Sequence, residues 1–326
     1  MLLSISIALN DNQQSTSDNK QVKARGWGVM IDKVKGSIAN RLRILFRDAA
    51  ADEIRRSAPY SPALKAAQIQ LFMHYQIMVK QGLPLPSIFD TGYRAFSQSD
   101  EDGLLLFLFA ALGTTNRTFV DIGSGNGVYG SNCANLAVNF GWHGLFIDGA
   151  EASISQGIEF YKKHPDTFLY PPKFKCAIVT RENVNQLIQE CGFEGEVDLM
   201  TIDIDGNDYW VWDGLECIQP RVVIIETHVE FGYHNIVVPY DREYVYPGRH
   251  PDYHGASPVA MVRLANRKGY RLVGANRFGF NTIYVREHEG IDLIPTVSVE
   301  DILKHRRNQE RFKRFEAIKD FPYEEG

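Results

Sequence analysis

Four glycines follow an aspartate within the segment FVDIGSGNGVYG, residues 119–130. Asp121 comes first, and Gly123, Gly125 and Gly127 follow at every second position. Glycines directly after a strand let the backbone adopt positive φ and approach a ligand closely. In a doubly wound sheet, that position lies at the carboxyl ends of the strands, where ligands bind. The segment therefore predicts a binding site for a nucleotide-like cofactor.

Charge separates two classes of cofactor here. Gly125, Gly127 and Gly130 also have the G-x-G-x-x-G spacing of dinucleotide-binding proteins, so a NAD(P)-dependent oxidoreductase is the alternative interpretation. However, a carboxylate at Asp121 would repel a pyrophosphate. It suits S-adenosylmethionine, which carries a sulfonium and an ammonium group and no phosphate. The pattern D-x-G-x-G-x-G resembles the first motif of class I methyltransferases, which use this cofactor.

Carboxylates also end the next strands. Asp148 ends the apolar run GLFID, where an acid can accept hydrogen bonds from ribose hydroxyls. Asp203 and Asp205, in TIDIDGND, follow the fourth predicted strand, and alternation places them on one side of it. With Glu226 they are candidate ligands for Mg²⁺, or they raise one another's pKa and create a base. Alternatively, Asp205 caps the following helix.

A histidine follows the fifth predicted strand. In IIETHVEFG, Glu226 and His228 lie two residues apart and so share one side. A neutral imidazole is a natural base for a hydroxyl proton, so His228 joins Asp203 and Asp205 as a catalytic candidate. The alternative is a hydrogen-bonded histidine at a strand end.

The segment 231–255 is irregular and rich in aromatic residues and histidine, and its histidine spacing matches no zinc pattern. We expect it to cover the acceptor site. Its tyrosines either stack on a sugar ring or anchor the loop: Tyr240, Tyr244, Tyr246 and Tyr253. Trp210 and Trp212, on the helix after the acidic motif, are expected to pack in the core.

Four segments resemble the FkbM-like methyltransferases, which methylate hydroxyls of sugars and polyketides. They are FVDIGSGNGVYG, GWHGLFIDGAE, DLMTIDIDGNDYWVWDGL and RVVIIETH, and the likeness covers residues 116–287. It implies O-methylation of a glycan or related small molecule. It also implies a cofactor site with Asp203 beside it and the following contacts: Asp121, Gly123, Ser124, Gly125 and Gly127 at the methionine end, and Asp148, Gly149 and Glu151 at the ribose. That family often has glutamate where this chain has Asp205.

The elements that hold these residues follow from the hydrophobic pattern. After residue 115, short apolar runs alternate with helical stretches, which indicates βαβ units and a parallel sheet covered on both faces. The last two runs are joined by only three residues, which requires an antiparallel hairpin. We therefore predict a doubly wound, mostly parallel seven-stranded sheet, the Rossmann-like methyltransferase fold, with an antiparallel last strand. A helix over residues 131–140 is expected to follow the glycines.

Four regions are predicted along the chain. Residues 1–25 are expected to be disordered, because the stretch 10–20 is polar and has almost nothing to bury. Residues 26–114 form a helical extension whose apolar helices are candidates for pairing subunits, residues 115–290 form the cofactor-binding domain, and residues 291–326 form a helical tail.

Composition limits the classes of partner and the location that the sequence predicts. The 326 residues carry a net charge of −5 with a pI near 6.0, which gives no general attraction to nucleic acid. The four cysteines are scattered and indicate a reducing compartment, so a cytoplasmic location is expected. The start MLLSISIALN lacks the features of a signal peptide, and no apolar run is long enough to span a membrane.

Overall fold

The computed structural model describes residues 61–326, which form an α/β domain around one seven-stranded sheet. The predictions of a disordered segment over residues 1–25 and of helical structure over residues 26–60 lie outside the described residues. Within them, no helix is long and apolar enough to cross a membrane.

The strands and helices alternate along the chain from residue 118 onward. The strands are β1 Thr118–Ile122, β2 His143–Asp148, β3 Lys173–Cys176, β4 Gly195–Ile202, β5 Ile218–Glu226, β6 Tyr270–Ala275 and β7 Asn281–Arg286. The α-helices are α1 Pro62–Lys80, α2 Glu101–Leu112, α3 Ala134–Phe140, α4 Glu151–Lys163, α5 Val184–Glu190, α6 Asp208–Gly214, α7 Pro258–Arg267, α8 Val299–Leu303 and α9 Arg306–Arg311.

The strand order across the sheet is β3-β2-β1-β4-β5-β7-β6. Neighbouring strands are parallel from β3 through β5, whereas β7 runs antiparallel to both β5 and β6. Six strands are therefore parallel and the last is antiparallel, which confirms the predicted Rossmann-like methyltransferase fold. From β1 the chain continues to β2 and β3 on one side of the sheet, and from β4 it continues to β5 on the other side. The switch point of the sheet therefore lies between β1 and β4.

Two hydrophobic clusters cover the two faces of the sheet. On one face, α2 is buried on all sides and packs with strand residues such as Phe119 and Val222. Because α2 shares the core of the sheet, the layer that covers the sheet begins before the boundary predicted at residue 115. It also follows that α2 has no free apolar face with which to pair a second subunit.

Two further elements differ from the sequence pattern or extend it. The helix expected over residues 131–140 begins only at Ala134, because residues 123–132 form turns after the glycines. The predicted C-terminal tail is helical, with α8, α9 and a 3₁₀ helix at Phe312–Ala317. Its last residues pair with the loop after β5, since Val237 and Glu324 form a β-bridge.

A buried carboxylate fixes the entry into β1. Asp198, in β4, accepts hydrogen bonds from the backbone N–H groups of Thr115, Asn116 and Arg117 at 2.6–3.0 Å. The guanidinium of Arg221, in β5, donates to the same carboxylate at 2.8 Å. This network joins the start of β1 to β4 and β5, and so fixes the position of the glycine segment at the other end of β1.

Asp198→Ala should lower the free energy of unfolding by about 3–5 kcal/mol, because it leaves three backbone donors without their acceptor and removes one of the two carboxylates that pair with the buried Arg221. Denaturant unfolding measures the loss. Glu310→Ala is the control: it removes an exposed pair with Arg306 and should change the free energy of unfolding by less than about 1 kcal/mol. Equal effects of the two substitutions would contradict the role assigned to Asp198.

Candidate active site

A cleft of about 380 Å³ opens at the carboxyl ends of β1, β2 and β4. This is the ligand-binding edge of a doubly wound sheet. The residues that line it include half of those predicted from the sequence: Gly123, Gly125, Asp148, Gly149, Asp203 and Asp205, together with Ile178, Arg242 and Tyr244.

The three motif glycines are required for different reasons, although each has a positive φ. At Gly123, a Cβ atom would lie 1.7 Å from the carbonyl oxygen of Asp203, so no side chain fits where the chain crosses the end of β4. At Gly127, a Cβ atom would lie 2.9 Å from the ring of Phe146. At Gly125, nothing lies within 4 Å of that position. Gly125 is therefore the glycine that leaves bare backbone open toward the cleft.

Asp148 lies at the tip of β2, where the sequence placed it. Its carboxylate accepts hydrogen bonds from the N–H of Gly125 and the N–H of Ala150, each at 2.8 Å. Carboxylate oxygens have about four lone-pair positions, so two remain for further donors. Glu151 is the exposed first residue of α4 and is not among the residues that line the cleft.

Asp121 and Ser124 lie beneath the glycine segment and not on the surface of the cleft. The Asp121 carboxylate accepts hydrogen bonds from Thr201 at 2.6 Å and Ser131 at 2.9 Å. Burial raises the pKa of Asp121 to about 6, although these hydrogen bonds oppose the increase. The Ser124 hydroxyl donates to the carbonyl of Ile147 at 3.3 Å. Direct cofactor contact by either side chain stays a prediction.

Three carboxylates predicted as metal ligands meet at the base of the cleft. Asp203, Asp205 and Glu226 each offer an oxygen within 4.8 Å of the other two. Burial, and then the nearby Asp208 and Asp205, raise the pKa of Asp203 well above its usual range. Burial and Asp203 do the same to Glu226. Such a group of carboxylates is stable with protons or with a bound cation.

Asp208, and not Asp205, stabilises the turn after β4. Its carboxylate accepts hydrogen bonds from the N–H groups of Ile204 and Gly206 at 2.8 and 3.0 Å. The interpretation of Asp205 as a helix cap is therefore wrong, because that side chain makes no capping hydrogen bond to α6. Burial raises the pKa of Asp208 to about 6. Sequence reasoning missed Asp208, although it is the third acid of TIDIDGND.

His228 lies just beyond β5 and is buried. Burial, and then His254 and Arg311, lower the pKa of His228 well below its usual range, so the ring is neutral at physiological pH. Within the described residues, neither ring nitrogen has a hydrogen-bond partner, and both roles predicted for His228 stay predictions. The ring of His254 lies 3.8 Å away, between centroids. His254 was not singled out as a site residue, because only the fold brings it back to β5.

A second cavity of about 580 Å³ lies beside this cleft, on the side of the 231–255 segment. Tyr244 lines both this cavity and the cofactor cleft. Tyr253 also borders it, but donates its hydroxyl to the carbonyl of Pro322 and so anchors the loop. The two tryptophans pack as expected: Trp212 is fully buried, and Trp210 donates its indole N–H to Val238.

Comparisons with known proteins give structural likeness alone. No protein-family description and no curated protein matches the sequence. Among solved structures, an O-methyltransferase from Bacillus cereus in complex with SAH is 12% identical, with a TM-score of 0.38, over 72% of this chain and 95% of that one. A S-adenosylmethionine-dependent methyltransferase from Clostridium acetobutylicum is 11% identical, with a TM-score of 0.37, over 60% of this chain and 94% of that one. The fold assignment rests on the strand order itself.

Asp203→Asn should stabilise the protein more at pH 7.5 than at pH 4.5. The folded-state pKa of Asp203 is raised, so the native state resists ionisation, and its stability falls as pH rises from the unfolded-state pKa of about 4 toward the folded-state value. Asparagine cannot ionise, so the substitution removes this loss of stability. Denaturant midpoints at both pH values, in the presence of a chelator, measure the difference. A larger gain at pH 4.5 than at pH 7.5 would contradict the raised pKa.

Proposed function

We propose that the protein is a S-adenosylmethionine-dependent O-methyltransferase that acts on a hydroxyl of a glycan or a related polar small molecule. One observation carries this proposal: the cleft at the switch point combines open backbone at Gly125 with an acidic wall. The FkbM-like motifs of the sequence support the choice of a hydroxyl acceptor.

The charge of the cleft favours a cationic cofactor. Asp148, Asp203 and Asp205 line it, against one arginine, Arg242. A dinucleotide brings two phosphate charges, which these carboxylates would repel. A sulfonium and an ammonium group would instead reduce the repulsion within the acidic cluster. This balance of charge weighs against the oxidoreductase alternative.

The residues present fit the cofactor at both of its ends. Asp148 has free lone pairs for the ribose hydroxyls, and Gly149 and the exposed Ile178 extend the same wall. Asp203 lies next to Gly123 in the cleft, and the methionine end of the cofactor would be held there. When bound, the cofactor supplies an electrophilic methyl group; the protein must align it with the acceptor and exclude water.

The second cavity is the proposed acceptor site, because it lies beside the cofactor cleft and shares Asn207 and Tyr244 with it. Its wall combines tyrosine rings with polar groups such as Asn207 and Asp241. Rings that offer an apolar face together with polar hydrogen-bonding groups suit a sugar, which presents both C–H and O–H groups.

The acceptor hydroxyl must lose its proton as the methyl group is transferred. Asp203, Asp205 and Glu226 are placed to orient the hydroxyl, directly or through Mg²⁺. His228 is neutral and close to Glu226, so it can act in either of two ways. Its ring can accept the proton, or it can hold a metal ion that acidifies the hydroxyl.

S-Adenosylhomocysteine should raise the melting temperature of the protein, because a ligand selective for the native state stabilises it by mass action. NAD and NADP should leave it unchanged. Thermal shift at saturating ligand measures both. Stabilisation by a nicotinamide cofactor, with none by S-adenosylhomocysteine, would overturn the proposed function.

Calorimetric titration with S-adenosylhomocysteine tests the contact between Asp148 and the ribose. Asp148→Ala should weaken S-adenosylhomocysteine binding by about 1.5–3 kcal/mol, the usual worth of charge-assisted hydrogen bonds. Because Asp148 also holds the Gly125 loop, Asp148→Asn is the matched variant: it keeps the shape and one acceptor, and should lose less. Calorimetric titration with unchanged affinity in both variants would move the ribose contact elsewhere.

His228→Ala should lower turnover by roughly 10²–10⁴-fold while the affinity for S-adenosylhomocysteine stays the same, since the ring serves the acceptor and not the cofactor. Release of S-adenosylhomocysteine, with a polyhydroxylated acceptor that supports it, measures turnover. The exposed His234 provides the control, and His234→Ala should keep full activity. Near-normal turnover in His228→Ala would exclude the residue from the chemistry.

A further inference from the structure

Glu226, His228 and His254 form a second group of potential ligands beside the three carboxylates. One ligand atom from each lies within 4.8 Å of the other two. Glu226 ends β5, His228 follows two residues later, and His254 is brought in by the 231–255 segment. The set therefore offers one carboxylate and two imidazoles that only tertiary structure brings together.

Hydrogen-bonding capacity in this group is left unused within residues 61–326. Both ring nitrogens of His228, Nδ1 of His254 and Oε2 of Glu226 are buried and have no hydrogen-bond partner. The two histidines are only 7% and 5% exposed. Buried polar side-chain atoms are nearly always hydrogen-bonded, so unpartnered atoms on all three residues of one group indicate that a ligand completes the group.

A fixed carboxylate lies on the Nδ1 side of His228, just beyond hydrogen-bond distance. Glu230 is 1% exposed, and its Oε2 atom lies 3.7 Å from Nδ1 of His228. Its other oxygen, Oε1, accepts from Arg311 at 2.6 and 2.8 Å, which holds the carboxylate in place. Histidines that bind metals commonly present one nitrogen to such a carboxylate and the other to the ion. Nε2 of His228 is therefore the nitrogen available to a ligand.

The backbone is shaped to bring His254 against His228. Gly255 has φ +68, and a Cβ atom there would lie 2.9 Å from Cδ2 of His228. Its N–H donates to the carbonyl of Gly206 at 2.9 Å, which ties the segment to the turn after β4. A side chain at residue 255 would separate the two imidazoles.

We propose that Glu226, His228 and His254 bind a divalent first-row transition metal ion. Two imidazole nitrogens and one carboxylate oxygen suit Zn²⁺, Co²⁺, Mn²⁺ or Fe²⁺, whereas Mg²⁺ prefers oxygen ligands alone. Three protein ligands leave coordination positions open for a small molecule.

The position of the ion assigns it a role at the acceptor. Glu226 also contacts the group of Asp203 and Asp205, which lines the cofactor cleft, so the ion would lie between that cleft and the acceptor cavity. An acceptor hydroxyl bound at an open position loses its proton more readily, here to the Asp205 carboxylate, as the oxygen–methyl bond forms and the sulfur–methyl bond breaks. This role rests on the proposed function; binding of the ion does not.

The test is a titration of the chelator-treated full-length protein with Co²⁺, followed by visible d–d absorption and by calorimetry. One equivalent should bind, and Mg²⁺ in large excess should not displace it. His254→Ala and His228→Asn should each lower the affinity by at least roughly 10–100-fold, the loss seen even for outer residues of metal sites. His234→Ala, at an exposed histidine, should bind Co²⁺ as the unsubstituted protein does.

Asp205→Asn and the melting temperature separate the remaining outcomes. Asp205→Asn should retain Co²⁺ binding. Every variant is compared at temperatures where its melting curve shows that it is folded. If His228→Asn does not fold, His254→Ala alone tests the proposal. Absence of Co²⁺ binding, binding that survives His254→Ala, or an ion lost only in Asp205→Asn and displaced by Mg²⁺ would each overturn the proposal. The thermal shift with S-adenosylhomocysteine is measured without metal, so failure of the proposed function is detected separately.

Discussion

The site depends on a single backbone crossing, where the loop after β1 passes the end of β4 at Gly123. A Cβ atom at that position would lie 1.7 Å from the carbonyl oxygen of Asp203, so the two segments can meet only if residue 123 lacks a side chain. Two hydrogen bonds at 2.9 Å hold the crossing, from Gly123 N–H to Ile147 and from Asp203 N–H to Ile122. The cofactor loop and the acidic cluster are thereby joined, and a movement of one displaces the other.

Repulsion between carboxylates is the cost of this arrangement. Asp203, Asp208 and Glu226 lie close together, Asp208 buried and the other two half-buried, and each has a raised pKa. A cation brought by the cofactor, an ion at Glu226, or a proton would each relieve the repulsion. Natural proteins commonly accept such local destabilisation at functional sites, where it favours the bound state. At the other end of the sheet, the buried Asp198 is instead paired with a cation, because Arg221 bridges it to Glu289.

The cavity bordered by the 231–255 segment is organised by packing from the C-terminal tail. The tail contacts the 231–255 segment through Tyr253, whose hydroxyl donates to Pro322, and through the bridge between Val237 and Glu324. Arg311 also holds Glu230 behind His228. The tail therefore positions the histidines as well as covering the sheet, although the sequence pattern predicts it only as a helical tail.

The sequence by itself determined the sheet, its antiparallel last strand and the edge at which Gly125, Asp148 and Asp203 lie, because strand periodicity and glycine spacing are local properties of the chain. Tertiary structure alone decided which side chains face the cleft. Asp121 and Ser124 lie beneath the loop, and Asp208 stabilises the turn after β4 in place of Asp205. The helix α3 begins at Ala134 and not at residue 131. Tertiary structure also placed His254 against His228, 26 positions away in the chain. Such contacts depend on how a long irregular segment folds back on the sheet, and periodicity holds no information about that path.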